Sequence, residues 1–276
     1  MAAESAESDV LLRFDHVTVA FDDVKALDDI SFEVRPAQTK IILGAAGSGK
    51  TTLLKTAIGL VRPNSGRVFL FGQDITRMSE HALFDLRSRV GILFQEGGLF
   101  DSLTVADNVA YPLVNQPAIH VPPDRVMPKV ESALSFVELD HTLDKFPSEL
   151  SGGMRRRVGI ARAVVTEPPL VLFDSPTAGL DPITANTIMA LIAKEREMSM
   201  AANLIVTHRY QDGQLMANFR YNRESGRLDP VSRNGSRRNT ETQFMVLNEG
   251  RLVFEGSQAE LESAQDDYVL KFVLRR

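Results

Sequence analysis

The chain of 276 residues contains no cysteine. That excludes disulfides and thiolate metal sites, and it fits a reducing compartment. No window holds the ~18 consecutive apolar residues that a membrane-spanning helix needs, so any membrane role is expected to come through a partner. The first residues, Met1 to Asp9, are polar and acidic. They lack the basic start and apolar stretch of a secretory signal, and residues 1–9 are expected to form a disordered tail. The basic excess that nucleic-acid binding leaves is missing: net charge is −5 and the sequence pI is near 5.6. No nucleic-acid partner is therefore expected. No internal repeat is visible, which excludes a duplicated domain. What remains is ordinary for a globular protein, at 43% apolar and 24% charged residues. The length suits one or two domains with ample core.

Against these absences stands one glycine-rich loop. Gly44, Gly47, Ser48, Gly49, Lys50, Thr51 and Thr52 fit the pattern G-x-x-x-x-G-K-[ST]. The bare pattern arises by chance in about one chain of this length in a hundred. Its context lowers that further. Lys40 to Leu43 is a short apolar run suited to a buried parallel strand. Thr52 to Gly59 carries Leu54 and Ile58 on one helical face, and Gly59 and Pro63 suit its end. A strand, a glycine loop and a helix N-terminus make an anion site, with backbone N–H groups aimed at phosphates and the helix dipole favouring negative charge. Lys50 is expected to reach the β- and γ-phosphates of a nucleoside triphosphate, and the Thr51 hydroxyl to ligate Mg²⁺.

Short β-like runs follow one another from Val10 to Gly72: Leu11–Ala20, Ile30–Val34, Ile41–Leu43 and Gly66–Phe71. Arg77–Arg89 reads as helix and Val90–Phe94 as a buried strand. Residues 97–165 read as a helical subdomain, with a proline-broken connector from Pro112 to Pro128. Leu170–Phe173 and Asn203–Val206 are further buried strands, with a helix over Asn186–Met198 between them. Phe244–Leu247 and Arg251–Phe254 flank a tight glycine turn, as a hairpin does. The alternation predicts an α/β fold: a P-loop NTPase core sheet with an antiparallel β subdomain and the helical subdomain inserted. One domain is expected over 10–256, with a helical tail over 257–276.

A second motif, Leu150-Ser151-Gly152-Gly153 followed by Met154-Arg155-Arg156-Arg157, opens a helix whose apolar face is Val158, Ala161, Val164 and Val165. Ser151 is its expected N-cap. The turn is a second anion site or an ordinary capped helix; alone, the sequence does not decide. Asp174 ends the apolar strand Leu170–Phe173, where open α/β sheets place ligands. It is an expected partner of Mg²⁺ and its waters.

The two motifs, in this order, resemble the ABC-type ATPases, motor subunits of ATP-binding-cassette transporters. The resemblance spans about Leu11 to Gly256. It implies ATP and Mg²⁺ as cofactors and a head-to-tail dimer of two copies, in which Ser151, Gly152 and Gly153 contact ATP held by the opposite subunit. Asp174 resembles the family's Walker B aspartate. Gln95 looks like the Q-loop glutamine, within reach of Mg²⁺ and the attacking water, followed by a loop that touches the transmembrane permease. His208 looks like the switch histidine, and a plain surface histidine is the alternative. Asp181, in Gly179-Leu180-Asp181, resembles the D-loop that crosses the dimer interface. Phe21 stands where the family places a ring on adenine; a core phenylalanine is the alternative. Gln95 to Val105 and Leu150 to Val158 resemble the Mla/Mce-type lipid transport ATPases. Those ATPases pair with a permease and, through it, a lipid-binding MCE protein, and the resemblance implies that this chain lies at the cytoplasmic face of the inner membrane, peripheral through the permease.

Two departures stand out. The family has a glutamate after the Walker B aspartate, as general base, and this chain has Ser175. General-base catalysis contributes ~10²–10⁴-fold, while positioning and charge stabilisation carry much of phosphoryl transfer. ATP binding is expected intact and hydrolysis slowed. The alternative is an ATP-gated dimerising module that hardly hydrolyses. The other departure is a polar insertion over about 219–242, with Arg220, Arg223, Arg227, Arg233, Arg237 and Arg238. Its composition predicts a disordered loop, either merely solvated or contacting an anionic partner.

Overall fold

The computed structural model describes residues 10–231 and 242–274. The expected tail 1–9 and Arg233, Arg237 and Arg238 of the insertion lie outside the described residues. β1 (Leu12–Phe21), β2 (Val24–Val34), β4 (Ser65–Leu70) and β5 (Gln73–Asp74) form an antiparallel sheet in the order β2-β1-β4-β5. The central sheet contains β3 (Thr39–Gly44), β6 (Val90–Leu93), β7 (Leu170–Asp174), β8 (Ala202–Thr207), β11 (Thr242–Asn248) and β12 (Arg251–Gly256). Its order is β12-β11-β3-β8-β7-β6, parallel throughout except for the β11–β12 hairpin.

The central strands read as unbroken apolar runs because both of their faces are covered. Ile41, Leu43, Val171, Phe173, Ile205 and Phe244 face one core, which the helices complete. Their alternates Ile42, Leu172, Leu204 and Met245 face a second core shared with the antiparallel sheet and Leu53 and Leu54. This period-two partition fixes the register of the sheet. The parallel pairing of β3, β8 and β7 brings their carboxyl ends to one edge.

The helices are α1 (Lys50–Ala57), α2 (Glu80–Arg87), α3 (Val105–Asn115), α4 (Pro123–Phe136), α5 (Gly152–Val164), α6 (Pro182–Ser199), α7 (Tyr210–Asn218), α8 (Gln258–Glu262) and α9 (Asp267–Leu274). The expected connector from Pro112 to Pro128 is shorter than its prolines suggest. Pro112 lies inside α3, and Pro128 inside α4. Each proline removes one intrahelical donor, yet burial of Val109 and Leu113, and of Val130 and Leu134, holds both helices. Tertiary packing outweighs propensity here. The polar insertion also departs from expectation. Phe219–Asn222 and Arg227–Pro230 pair as an antiparallel hairpin, β9 and β10. The buried guanidinium of Arg196 donates to the Phe219 carbonyl at 3.0 Å, and Arg223 donates to the carbonyls of Glu197 and Met198. Local hydrogen-bonding chances of this kind are invisible to composition.

Candidate functional site

The loop between β3 and α1 wraps a lysine. Lys50 Nζ donates to the carbonyls of Gly44 at 2.9 Å and Ala45 at 2.6 Å, and to Ser48 Oγ at 3.3 Å. Burial holds its pKa below the ordinary lysine value, and the nearby Asp174 carboxylate works against that shift. A buried ammonium satisfied by neutral carbonyls is a cation awaiting an anion. Gly49 is forced by two things at once. Its φ is +102°, and a Cβ there would lie 2.2 Å from the Ala26 carbonyl oxygen.

Asp174, at the end of β7, is 3% exposed. It accepts from Thr51 Oγ1 at 3.0 Å and from Ser175 Oγ at 3.2 Å. The hydroxyl of Thr51 and the Asp174 carboxylate thus stand side by side, a hard-oxygen pair of the kind Mg²⁺ takes alongside waters and phosphate. Ser175 has a left-handed backbone, φ +48°, and its N–H donates to the Val206 carbonyl.

These groups border an open cleft of about 650 Å³. Gly47, Gly49, Lys50, Thr51 and Thr52 form its floor, and Gln95, Ser175 and His208 come in from the ends of β6, β7 and β8. Gly44, Ser48 and Asp174 lie just behind this lining, tied to it through Lys50 and Thr51. Phe21 is outside it, half-exposed at the end of β1. The rings in the cleft wall are Tyr268 and Phe272, on α9 with Lys271. These three were missed in the sequence. The signal available was the apolar spacing of Tyr268, Val269, Phe272 and Val273, which marks an amphipathic helix but not what it covers.

Two side chains fix the loop after β7. Arg156, 5% exposed on α5, donates to the carbonyls of Ser175 at 2.8 Å, Pro176 at 2.9 Å and Ala178 at 2.8 Å. Asp212 accepts from Thr177 Oγ1 at 2.6 Å and Thr207 Oγ1 at 2.7 Å. It thereby links the Ser175 loop to the residue before His208. Burial raises the Asp212 pKa, against the two hydroxyl bonds and the nearby Arg209.

Ser151, Gly152, Gly153 and Asp181 sit together elsewhere and do not line this cleft. Ser151 Oγ accepts from the Met154 N–H at 3.2 Å, the expected N-cap of α5. A Cβ on Gly153 would lie 2.6 Å from Thr184 Cγ2, so only glycine lets α5 approach α6 there. Asp181 caps α6 through the N–H groups of Ile183 and Thr184, both at 3.0 Å. Hydrogen bonds from Thr184 lower its pKa most.

A family model described as "ABC transporter" matches residues 27–178. The intermembrane phospholipid transport system ATP-binding protein MlaF of Haemophilus influenzae is 31% identical over 263 residues, 95% of this chain and 90% of that protein. The methionine import ATP-binding protein MetN of Carboxydothermus hydrogenoformans is 40% identical over 185 residues, 67% of this chain. The chain spans about half of that relative's length, 54%. Among solved structures, the dimeric post-hydrolysis state of the ATP-binding cassette MJ0796, bound to ADP and Pi, superposes with a TM-score of 0.74 at 25% identity. That match covers 89% of this chain and 98% of that one.

Proposed function

The chain belongs to the ABC transporter family as an ATP-hydrolysing, ATP-binding subunit, and from that premise we propose that it drives the movement of lipids between membranes. The observation that carries the lipid reading is the extent of likeness. The phospholipid-transport relative aligns over 95% of this chain and 90% of its own length, whereas the methionine-import relative aligns over 67% and 54%.

In this reading the phosphate-loop amides and Lys50 hold the β- and γ-phosphates, and Lys50 exchanges its carbonyl partners for phosphate oxygens. Thr51 and Asp174 hold Mg²⁺, with Gln95 at the same edge. The ion supplies charge neutralisation on the phosphate oxygens. Gln95 orients the attacking water, and His208 donates a hydrogen bond to the γ-phosphate. Ser151, Gly152 and Gly153 serve the ATP of a second copy, in a head-to-tail dimer whose interface Asp181 lines. Their place outside the chain's own cleft is what such a division of labour requires.

No helix among the described residues is long and apolar enough to cross a membrane. Attachment is therefore assigned to an integral permease at the cytoplasmic face of the inner membrane, with an MCE lipid-binding protein reached through that permease. The docking surface is the loop after Gln95. Phe100 and Tyr111 are 41% and 39% exposed there, with ring centroids 4.6 Å apart, and Arg162 braces the loop through the Gly97 and Gly98 carbonyls.

A second reading has its own observation. Among the described side chains lining the cleft there is no carboxylate, and Ser175 occupies the general-base position. Hydrolysis is then slow, and the ATP-bound dimer itself is the long-lived, signalling state.

The test is calorimetric ATP binding by Lys50→Ala, together with lipid transfer between vesicles by the complex reconstituted with its permease. Undiminished ATP affinity in Lys50→Ala would sink the phosphate-loop assignment. ATP-driven uptake of a soluble solute, with no lipid transfer, would sink the lipid assignment.

A further inference from the structure

The loop after β7 joins two places that the reaction uses. It begins at Ser175, on the rim of the cleft beside Asp174, and ends at Asp181, the N-cap of α6. Ser175 holds a left-handed backbone, φ +48°, which a non-glycine residue keeps only where its surroundings impose it. The carbonyls of Ser175, Pro176 and Ala178 all turn toward one guanidinium, that of Arg156, at 2.8, 2.9 and 2.8 Å. Carbonyl oxygens drawn together away from water each need a donor. The fixed fork of an arginine supplies several donors at once, where a lysine is a point charge.

Arg156 belongs to α5, the helix that Ser151, Gly152 and Gly153 open. This helix is seated tightly. A Cβ on Gly159 would lie 2.6 Å from Leu93 Cδ1 and 3.0 Å from the Gly97 carbonyl oxygen, so glycine lets α5 close on β6 and the loop after it. Arg162, further along, donates to the Gly97 and Gly98 carbonyls. One helix thus grips the backbone of both loops that bring Gln95 and Ser175 to the cleft. Arg156 itself does not line the cleft, so its effect is on the geometry of attack and not on contact with ATP.

We infer that Arg156 is a positioning residue for ATP hydrolysis: it fixes the loop 175–181 to the helix that opens at Ser151, so that the reacting edge of the cleft and the face offered to a second copy keep one spacing. This rests on the hydrolytic, dimeric reading above.

The full-length chain would be assayed for Mg-ATP affinity by calorimetry, for single-turnover hydrolysis and for amide hydrogen exchange, at a temperature where each variant is folded. Arg156→Met should bind Mg-ATP within about twofold of wild type yet hydrolyse it about ten- to a hundredfold more slowly, the scale of a small misplacement at a reacting centre. Exchange at the amides of 175–181 should quicken, while that of 44–52 stays as in wild type. Arg156→Lys should recover part of the rate, and it carries the same comparison if Arg156→Met does not fold. Arg196→Met is the matched control. The Arg196 guanidinium is also buried and donates to the Met216 and Phe219 carbonyls, outside the cleft lining. That variant should lose stability and hydrolyse as wild type does. A rate that falls only in step with ATP affinity, an unchanged rate or unchanged exchange over 175–181, or equal slowing in Arg196→Met would each overturn the inference alone. If wild type binds Mg-ATP without hydrolysing it, the hydrolytic reading falls and the inference with it.

Discussion

Ser175→Glu is the substitution that separates a slow ATPase from a fast one. The hypothesis is that Ser175 leaves the attacking water without a base. Restoring a carboxylate should then return a large part of the ~10²–10⁴-fold that a general base contributes, about 2.7–5.5 kcal/mol of barrier at ~1.4 kcal/mol per decade. The structure also sets a cost. Ser175 Oγ now donates to Asp174 Oδ1 at 3.2 Å, and Asp174 is 3% exposed. A glutamate replaces that donor with a second negative charge. At about 5 Å and an effective dielectric of about 20, two carboxylates repel by roughly 3 kcal/mol. Without Mg²⁺ the variant should therefore melt well below wild type, and Mg-ATP should recover most of the loss by placing a divalent cation between the charges. Ser175→Ala loses the same bond without adding charge, so it should melt near wild type and hydrolyse no faster. Single-turnover hydrolysis, and size-exclusion chromatography with Mg-ATP, read the two consequences: faster turnover and a shorter-lived dimer in Ser175→Glu. Wild type turning over as fast as Ser175→Glu would refute the reasoning, because another group must then supply the base.

Arg156→Met should cost about 3 kcal/mol in a denaturant melt, since one buried and two part-buried carbonyls lose their donor. Arg156→Lys should fall between it and wild type. Asp212→Ala strands the Thr177 and Thr207 hydroxyls and should cost about 2–4 kcal/mol; Asp212→Asn, which can still accept from both, should cost less. Burial raises the Asp212 carboxyl above its ordinary 3.8, so the folded chain binds that proton more readily than the unfolded one. Wild type should gain stability relative to Asp212→Asn as pH falls through the raised value toward the ordinary one; parallel melting curves across that window would contradict it. Phe100→Glu should release the protein from permease-containing membranes without a change in melting temperature, because Phe100 is exposed whereas the neighbouring Leu99 packs against the core. Retention in a membrane flotation assay would count against the docking surface.

The features legible in the sequence were those fixed by near neighbours. Strands β3, β7 and β8 read as apolar runs because a parallel strand covered on both faces has no polar side to show. The phosphate loop and the Ser151 cap are each complete within a few residues, so their chemistry is written locally. What stayed hidden depends on residues brought together across the fold. Ala45 and Tyr268 are 223 positions apart when they meet. The three carbonyls that Arg156 holds lie 19, 20 and 22 positions away. Pro112 and Pro128 read as breaks, since no local rule reveals that the packing of Val109, Leu113, Val130 and Leu134 outweighs a lost donor. The Arg-rich stretch read as loop because composition reports charge, and only the fold shows that Arg223 caps the end of α6.

Ser175 belongs to both groups. That a glutamate is missing there is plain in the sequence. Whether another carboxylate takes its place is a question about space. Asp174 is the nearest candidate, and it is engaged by Thr51 and Ser175 behind the lining. Asp212 is engaged by two threonines and buried. Asp181 caps a helix away from the cleft. Each of these described carboxylates is held by hydrogen bonds in a structural role, outside the lining of the cleft. Loss of the glutamate is therefore uncompensated among them. The slow-hydrolysis reading follows from how those carboxylates are used, more than from one substituted position.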